Sequence, residues 1–211
     1  EDFPNEPQFL YQKGALAAFI KDHNTAISIF EKLIAEYPFN SVTYLDLAKS
    51  YTAVGRTDEA FKLLLKVFQS EAGDVAKKIE ILTRYSNIAQ PNTEIMAKYK
   101  LLLKAAIDTY PDNSSILHLA AINWMALGEY NKSANALRKV IAISPGSLNA
   151  HYDYLSVLFQ LKEWEVVISA SNNAAIIFPL EPLLYLYSGD AYIEMEQFEL
   201  AIKALKHGRA L

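Results

Sequence analysis

The sequence predicts an all-α solenoid of about six helix-turn-helix repeats, which amounts to about twelve helices. Three prolines, Pro111, Pro145 and Pro179, follow one another at a fixed distance, since 145 − 111 and 179 − 145 both equal 34. A constant period of this length is typical of proteins whose repeats stack against their neighbours. Apolar residues make up 52% of the 211 residues and only 7 residues are glycine, which suits helices that bury one face.

Residues 114–147 show the repeat most clearly. Gly128 ends its first helix, because glycine adopts the left-handed conformation without a steric cost. A second helix runs through Leu137, and Pro145 ends the repeat because proline cannot continue a helix. Small and apolar residues recur in the first helix at intervals of three and four, which places them on one helical face: Leu117, Ala120, Ala121, Trp124 and Leu127.

This pattern resembles a known repeat family. The residues that carry the resemblance are Trp124, Gly128, Tyr130, Ser133, Ala134, Leu137 and Pro145, and at this spacing they are similar to the tetratricopeptide repeat. The resemblance implies a right-handed α-solenoid whose first helices line an inner, concave side. It also predicts a single array over residues 1–211, with repeats at about 7–40, 41–74, 75–113, 114–147, 148–181 and 182–211.

The first two repeats follow the same pattern. In the first, the inner positions are Leu10, Gly14 and Ala17 on one helix and Ala26, Phe30 and Leu33 on the other. In the second they are Tyr44, Leu47, Ala48 and Tyr51, followed by Ala60, Leu64 and Val67. Gly55 separates the two helices of the second repeat, as Gly128 does in residues 114–147.

The third repeat contains extra residues. Pro38 and Pro111 are 111 − 38 = 73 residues apart, which is two periods of 34 plus 5. The repeat pattern holds when it is counted forward from the second repeat and also when it is counted back from Pro111. The five extra residues therefore lie between the two helices of the third repeat, where residues 89–93 contain the one proline of that interval. We therefore predict a longer loop between the two helices of this repeat, with Asn92 or Thr93 as the cap of the second helix.

The last two repeats complete the prediction. In the fifth, Val167 and Ser171 exchange the small and bulky positions of the pattern, which roughly conserves volume. The sixth returns to the pattern, and its last helix has apolar residues on several sides: Leu200, Ile202, Leu205 and Leu211. One neighbour cannot cover all of them. We interpret the exposed apolar side of this helix as a surface that packs against further repeats of the native protein or that mediates self-association.

The candidate partner-binding residues lie between the core positions of the first helices. They are Tyr11, Phe19, Lys49, His118, Met125, Tyr152, Phe159 and Asp190. The row is mainly apolar and aromatic, and such exposed surfaces usually mark interaction sites. Some members of the family that this sequence resembles clamp the C-terminal carboxylate of a chaperone with lysine and asparagine. Only Lys49 matches that clamp here, so such a receptor is not expected.

Composition excludes several functions. A net charge of −4 without a basic cluster argues against nucleic acid, and no apolar stretch is long enough for a membrane span. There is no cysteine, and no two of the four histidines have helical metal-site spacing. No glycine-rich phosphate loop occurs. We therefore expect no cofactor, no metal and no enzymatic activity.

The sequence favours a non-catalytic scaffold that binds a peptide, helix or subunit of a partner protein in an apolar and aromatic groove. Two alternatives stay open. The chain is an architectural segment of a longer array, or it is an accessory domain of an enzyme whose catalytic part lies elsewhere. The composition suits an exported bacterial protein and a cytoplasmic one equally.

Overall fold

A computed structural model describes residues 7–38, 40–89 and 92–211 of the chain. In these ranges the chain forms twelve helices and no strand, which confirms the all-α fold class and the array of helical hairpins. The helices are α1 (Pro7–Phe19), α2 (His23–Glu36), α3 (Ser41–Ala53), α4 (Thr57–Phe68), α5 (Val75–Ala89), α6 (Thr93–Thr109), α7 (Ser114–Ala126), α8 (Tyr130–Ile143), α9 (Leu148–Leu161), α10 (Trp164–Ile177), α11 (Pro182–Glu194) and α12 (Phe198–Arg209).

The chain divides into two compact units, an N-terminal unit, Glu1–Pro111, and a C-terminal unit, Asp112–Leu211. Six of the helices lie in each unit, arranged as three hairpins. That all the repeats form one array over residues 1–211 remains a prediction.

In the C-terminal unit, each hairpin packs its second helix against the first helix of the next hairpin. Thus α8 contacts α9, and α10 contacts α11. Val167 and Ser171 are both buried, as the expected exchange of a small and a bulky residue requires. One buried cluster of this unit consists of Leu155, Leu158, Val167, Ala174, Leu184 and Ala191.

The N-terminal unit departs from this arrangement at its third hairpin. Helix α2 packs on α3 in the usual way, but the helix of the next hairpin that α4 contacts most is α6, the second helix of that hairpin. Phe68 on α4 and Leu102 and Ala106 on α6 are all 0% exposed, and Thr109 Oγ1 of α6 donates a hydrogen bond to the Phe68 carbonyl at 2.9 Å. Helix α5 packs chiefly on α6, so one side of α5 is left facing α3 across a gap.

The longer loop expected in the third hairpin is not present, because the extra residues lengthen the helices. Helix α5 has 15 residues and α6 has 17, whereas α1 and α2 have 13 and 14. Gln90 and Pro91 lie outside the described residues, but Ala89 and Thr93 bound the same three-residue separation as Phe19 and His23. Each residue added to a helix gains a backbone hydrogen bond that a loop residue lacks.

The expected cap of α6 is confirmed as Asn92. Its side-chain oxygen accepts hydrogen bonds from the backbone N–H groups of Glu94 and Ile95, each at 3.0 Å. These two donors have no partner inside the helix, so an acceptor at this position stabilises the first turn.

We expect Asn92→Ala to lower the free energy of unfolding by about 1 kcal/mol, since both donors lose their acceptor. Asn92→Asp keeps the acceptor and is the matched control, with an expected change of a few tenths of a kcal/mol at most. Urea denaturation followed by circular dichroism measures both. An alanine variant as stable as the aspartate variant would show that the cap contributes nothing.

Candidate functional site

The first helices of the three C-terminal hairpins share one surface. His118 Nε2 on α7 lies 2.6 Å from Asp153 Oδ2 on α9, and Ser156 Oγ on α9 lies 2.8 Å from the hydroxyl oxygen of Tyr187 on α11. Residues three and four positions further along each helix extend the same face. We call this surface the α7–α9–α11 face, and it consists of His118, Ile122, Met125, Tyr152, Ser156, Phe159, Leu186, Asp190 and Ile193.

Three aliphatic side chains of this face are open to solvent. Ile122 on α7 is 41% exposed, and Leu186 and Ile193 on α11 are 45% and 43% exposed. Helices α7, α9 and α11 contain no lysine or arginine. The face therefore combines accessible apolar area with an absence of positive charge on its own helices.

Asp190 is an unpaired carboxylate beside these aliphatic residues. Among the described residues no lysine, arginine or histidine lies within ion-pair distance of it. Burial raises the pKa of Asp190, and the nearby charge of Glu194 raises it further. Both causes make the ionised form less favourable. A cation placed beside Asp190 would relieve this cost.

Three of the candidate residues are half-buried and also hold the repeats together. The Tyr152 hydroxyl donates a hydrogen bond to Glu181 Oε2 at 2.7 Å, and burial, with this bond, raises the pKa of Tyr152 to about 12. Met125 packs against the core between α7, α8 and α9. Phe159 is edge-on to Trp164, at 5.0 Å between ring centroids, and to Tyr187, at 5.6 Å. These contacts fix the side chains before any partner arrives.

The N-terminal unit has an equivalent contact between its first two hairpins. The Tyr11 hydroxyl donates to Asp46 Oδ2 at 2.7 Å, and Lys49 Nζ donates to Asp46 Oδ1 at 3.0 Å. Tyr11 occupies the fifth position of α1 and Asp46 the sixth of α3, as His118 and Asp153 do in α7 and α9. Sequence reasoning missed both aspartates, although their shared position in the repeat is a readable signal.

Phe19 stands apart from the other candidates. It is 84% exposed at the end of α1, next to Ile20, which is 64% exposed, and none of the described aromatic contacts includes it. The structure therefore does not bring Phe19 together with Tyr11 and Lys49, which meet at Asp46.

A cleft separates α3 from α5 in the N-terminal unit. Its volume is about 580 Å³. We call it the α3–α5 cleft, and its lining includes Leu45, Ala48, Lys49, Lys77, Ile81, Arg84, Tyr85 and Ile88. Lys49, predicted as a groove residue, therefore lies at this cleft.

The last helix presents the apolar surface that the sequence indicated. On α12, Phe198, Leu200 and Ile202 are 59%, 45% and 53% exposed, and Leu211, which follows the end of α12, is 48% exposed. Leu205 is half-buried and lies where a Cβ on Gly189 would fall. Self-association through this helix remains a hypothesis.

Two kinds of site are not found within the described part of the chain. No group of three or more histidine, aspartate or glutamate side chains is placed to hold a metal ion. In the same residues, no helix has the length and the apolar character needed to cross a bilayer.

Comparison with known proteins places these features in context. Residues 8–40 match a family model described as tetratricopeptide repeat. The structure of MamA AMB-1 is similar with a TM-score of 0.50 and 16% identity, over 97% of this chain and 91% of that chain. MamA 41-end from Desulfovibrio magneticus RS-1 also has a TM-score of 0.50, with 23% identity over 64% of this chain and 75% of that one. Both likenesses concern the fold. No protein with a curated function matches the sequence significantly.

Proposed function

We propose that this chain, of which residues 8–40 match a tetratricopeptide repeat model, is a non-catalytic scaffold whose α7–α9–α11 face binds a peptide or helix of a partner protein. The observation that carries this proposal is the pairing of exposed aliphatic residues with the unpaired carboxylate of Asp190 on helices that have no lysine or arginine. Accessible apolar area of this kind typically marks an interaction surface.

The geometry supports a segment with apolar anchors and one basic residue. Ile122, Leu186 and Ile193 offer apolar area to the anchors, and removing such area from water contributes about 25 cal/mol per Å² before the costs of association are subtracted. Asp190 offers a charged partner to lysine or arginine. Tyr152 and Phe159 are already held by neighbouring repeats, so little side-chain entropy is lost when a partner packs on them.

In the N-terminal unit, Tyr11, Phe19 and Lys49 remain candidate partner contacts. Tyr11 and Lys49 share Asp46, so a partner that bound either residue would act on the same carboxylate.

Selection from a library of displayed peptides tests the proposal without a known partner. Peptides of about 20 residues are selected against the wild-type protein, and the affinity of the enriched peptides is measured by fluorescence anisotropy. We expect apolar anchors together with at least one lysine or arginine. Ile122→Glu and Leu186→Glu should each weaken binding about tenfold or more, because each places an unpaired charge in the buried contact.

Ile176→Glu is the matched control. Ile176 lies on α10, a second helix of the same unit, and is 79% exposed, so the same substitution should leave affinity unchanged. Asp190→Asn should weaken the peptides that contain a basic residue and spare those that do not. Equal affinity for wild type, Ile122→Glu and Leu186→Glu would remove this face from the proposed function.

A further inference from the structure

The α3–α5 cleft exists because the third hairpin packs against the second hairpin through its second helix, α6. Since α6, rather than α5, is the helix of the third hairpin that packs against α4, the inner side of α5 is left without the neighbour that α9 and α11 have. The floor of the cleft is apolar, with Leu45, Ala48 and Leu64 all less than 9% exposed. Ile81 is half-buried on its wall, and Ile88 is 51% exposed at its edge.

The edges of this cleft carry positive charge. The lining contains three cations, Lys77 and Arg84 on α5 and Lys49 on α3, and one carboxylate, Glu80 on α5. Neither Lys77 nor Arg84 belongs to an ion pair among the described residues, whereas Lys49 bonds to Asp46 at 3.0 Å. The cleft therefore has the opposite charge preference to the α7–α9–α11 face.

The spacing of the cations selects the shape of the ligand. Lys77 and Arg84 are seven residues apart, so they lie on one side of α5 and about 10 Å apart along its axis. Two charges at that distance do not converge on a single anionic headgroup. They do match two carboxylates one heptad apart on a second helix, whose apolar residues at intermediate positions would face Leu45 and Ile81.

We propose that the α3–α5 cleft binds an acidic amphipathic helix of a partner protein. The apolar ridge of that helix enters the cleft between α3 and α5, and its carboxylates meet Lys77 and Arg84. This cleft is separate from the α7–α9–α11 face, so the test of this proposal is independent of the test of the proposed function.

Three labelled helical peptides of about 18 residues test the proposal by fluorescence anisotropy. The first has a leucine ridge flanked by glutamates one heptad apart, the second has lysine at each glutamate position, and the third is a scramble of the first. We expect only the glutamate peptide to bind, with an affinity that falls as salt is added. The double variant Lys77→Glu/Arg84→Glu should weaken it about tenfold or more and should gain affinity for the lysine peptide.

The matched control is Lys100→Glu/Lys104→Glu. Both lysines are exposed on α6, outside the cleft lining, and the charge change is identical, so this variant should keep the affinity of the wild type. Far-UV circular dichroism verifies that both double variants are folded. Equal losses in the two variants, equal binding of the glutamate peptide and its scramble, or binding of dodecanoate in the cleft without binding of the glutamate peptide would each overturn the proposal.

Discussion

Phe30→Ala is expected to lower the free energy of unfolding by about 3–5 kcal/mol, which is the usual cost of deleting a fully buried aromatic ring. Phe30 is 0% exposed on α2, and its ring contacts that of Tyr11 at 6.0 Å between centroids. The loss has two parts, the transfer free energy of the ring and the cavity that remains. Urea denaturation followed by circular dichroism measures the change.

Gly14 provides an internal check on this expectation. A Cβ added at Gly14 would lie 2.6 Å from an edge carbon of the Phe30 ring, and a fully buried ring has no room to move away. Gly14→Ala should therefore destabilise the wild type but have little effect in the Phe30→Ala background. Gly146→Ala is the control, because nothing lies within 4 Å of its Cβ position. Equal effects of the two glycine substitutions in the wild type would contradict the packing described here.

Lys78→Met is expected to lower the free energy of unfolding by about 2–3 kcal/mol, because a charged hydrogen-bond donor is lost from a buried network. Lys78 is 1% exposed. Its ammonium donates to the hydroxyl of Tyr110 at 2.8 Å and to the carbonyl of Ser70. The Tyr110 hydroxyl donates in turn to the carbonyl of Glu71 at 3.1 Å. The substitution removes the group that connects these partners beyond the end of α4.

Lys77→Met is the control for this measurement. Lys77 is the preceding residue of α5 and is exposed, so its replacement should change stability by less than about 0.5 kcal/mol. Urea denaturation of the two variants decides the matter, and a Lys78→Met protein as stable as Lys77→Met would show that the buried network contributes nothing.

The period of the sequence was sufficient to predict the hairpins and much of their core. Ala120 and Ala121 are 0% exposed and Leu137 is 1% exposed, as their spacing indicated. Asn92 and Thr93 were the two predicted caps of α6 from residue type and place, and Asn92 is the cap observed. The sequence did not predict that the five extra residues lengthen α5 and α6. A proline indicates where a helix is interrupted, but it does not indicate whether the helices on either side become longer.

The residues of the candidate sites were harder to interpret from sequence. Lys78 follows Lys77, and the sequence alone suggests that both are charged surface residues. In the structure Lys78 is buried, because Ser70 and Tyr110 lie beside it. Tyr152 was predicted as a groove residue, but its bond to Glu181 depends on the start of the next hairpin. Such contacts join different repeats. The periodicity of the sequence predicts on which face of its helix a residue lies, but it does not predict which residue of another repeat it contacts.

The docking of α6 on α4 also constrains how the N-terminal unit folds. The hydrogen bond from Thr109 Oγ1 to the Phe68 carbonyl joins residues 41 positions apart, and closing a chain loop of that length costs entropy before any contact repays it. We therefore expect helices α5 and α6 to pair with each other before they close onto α4. During synthesis, the side of α4 that carries Phe68 therefore stays uncovered until the ribosome has released the chain beyond Tyr110.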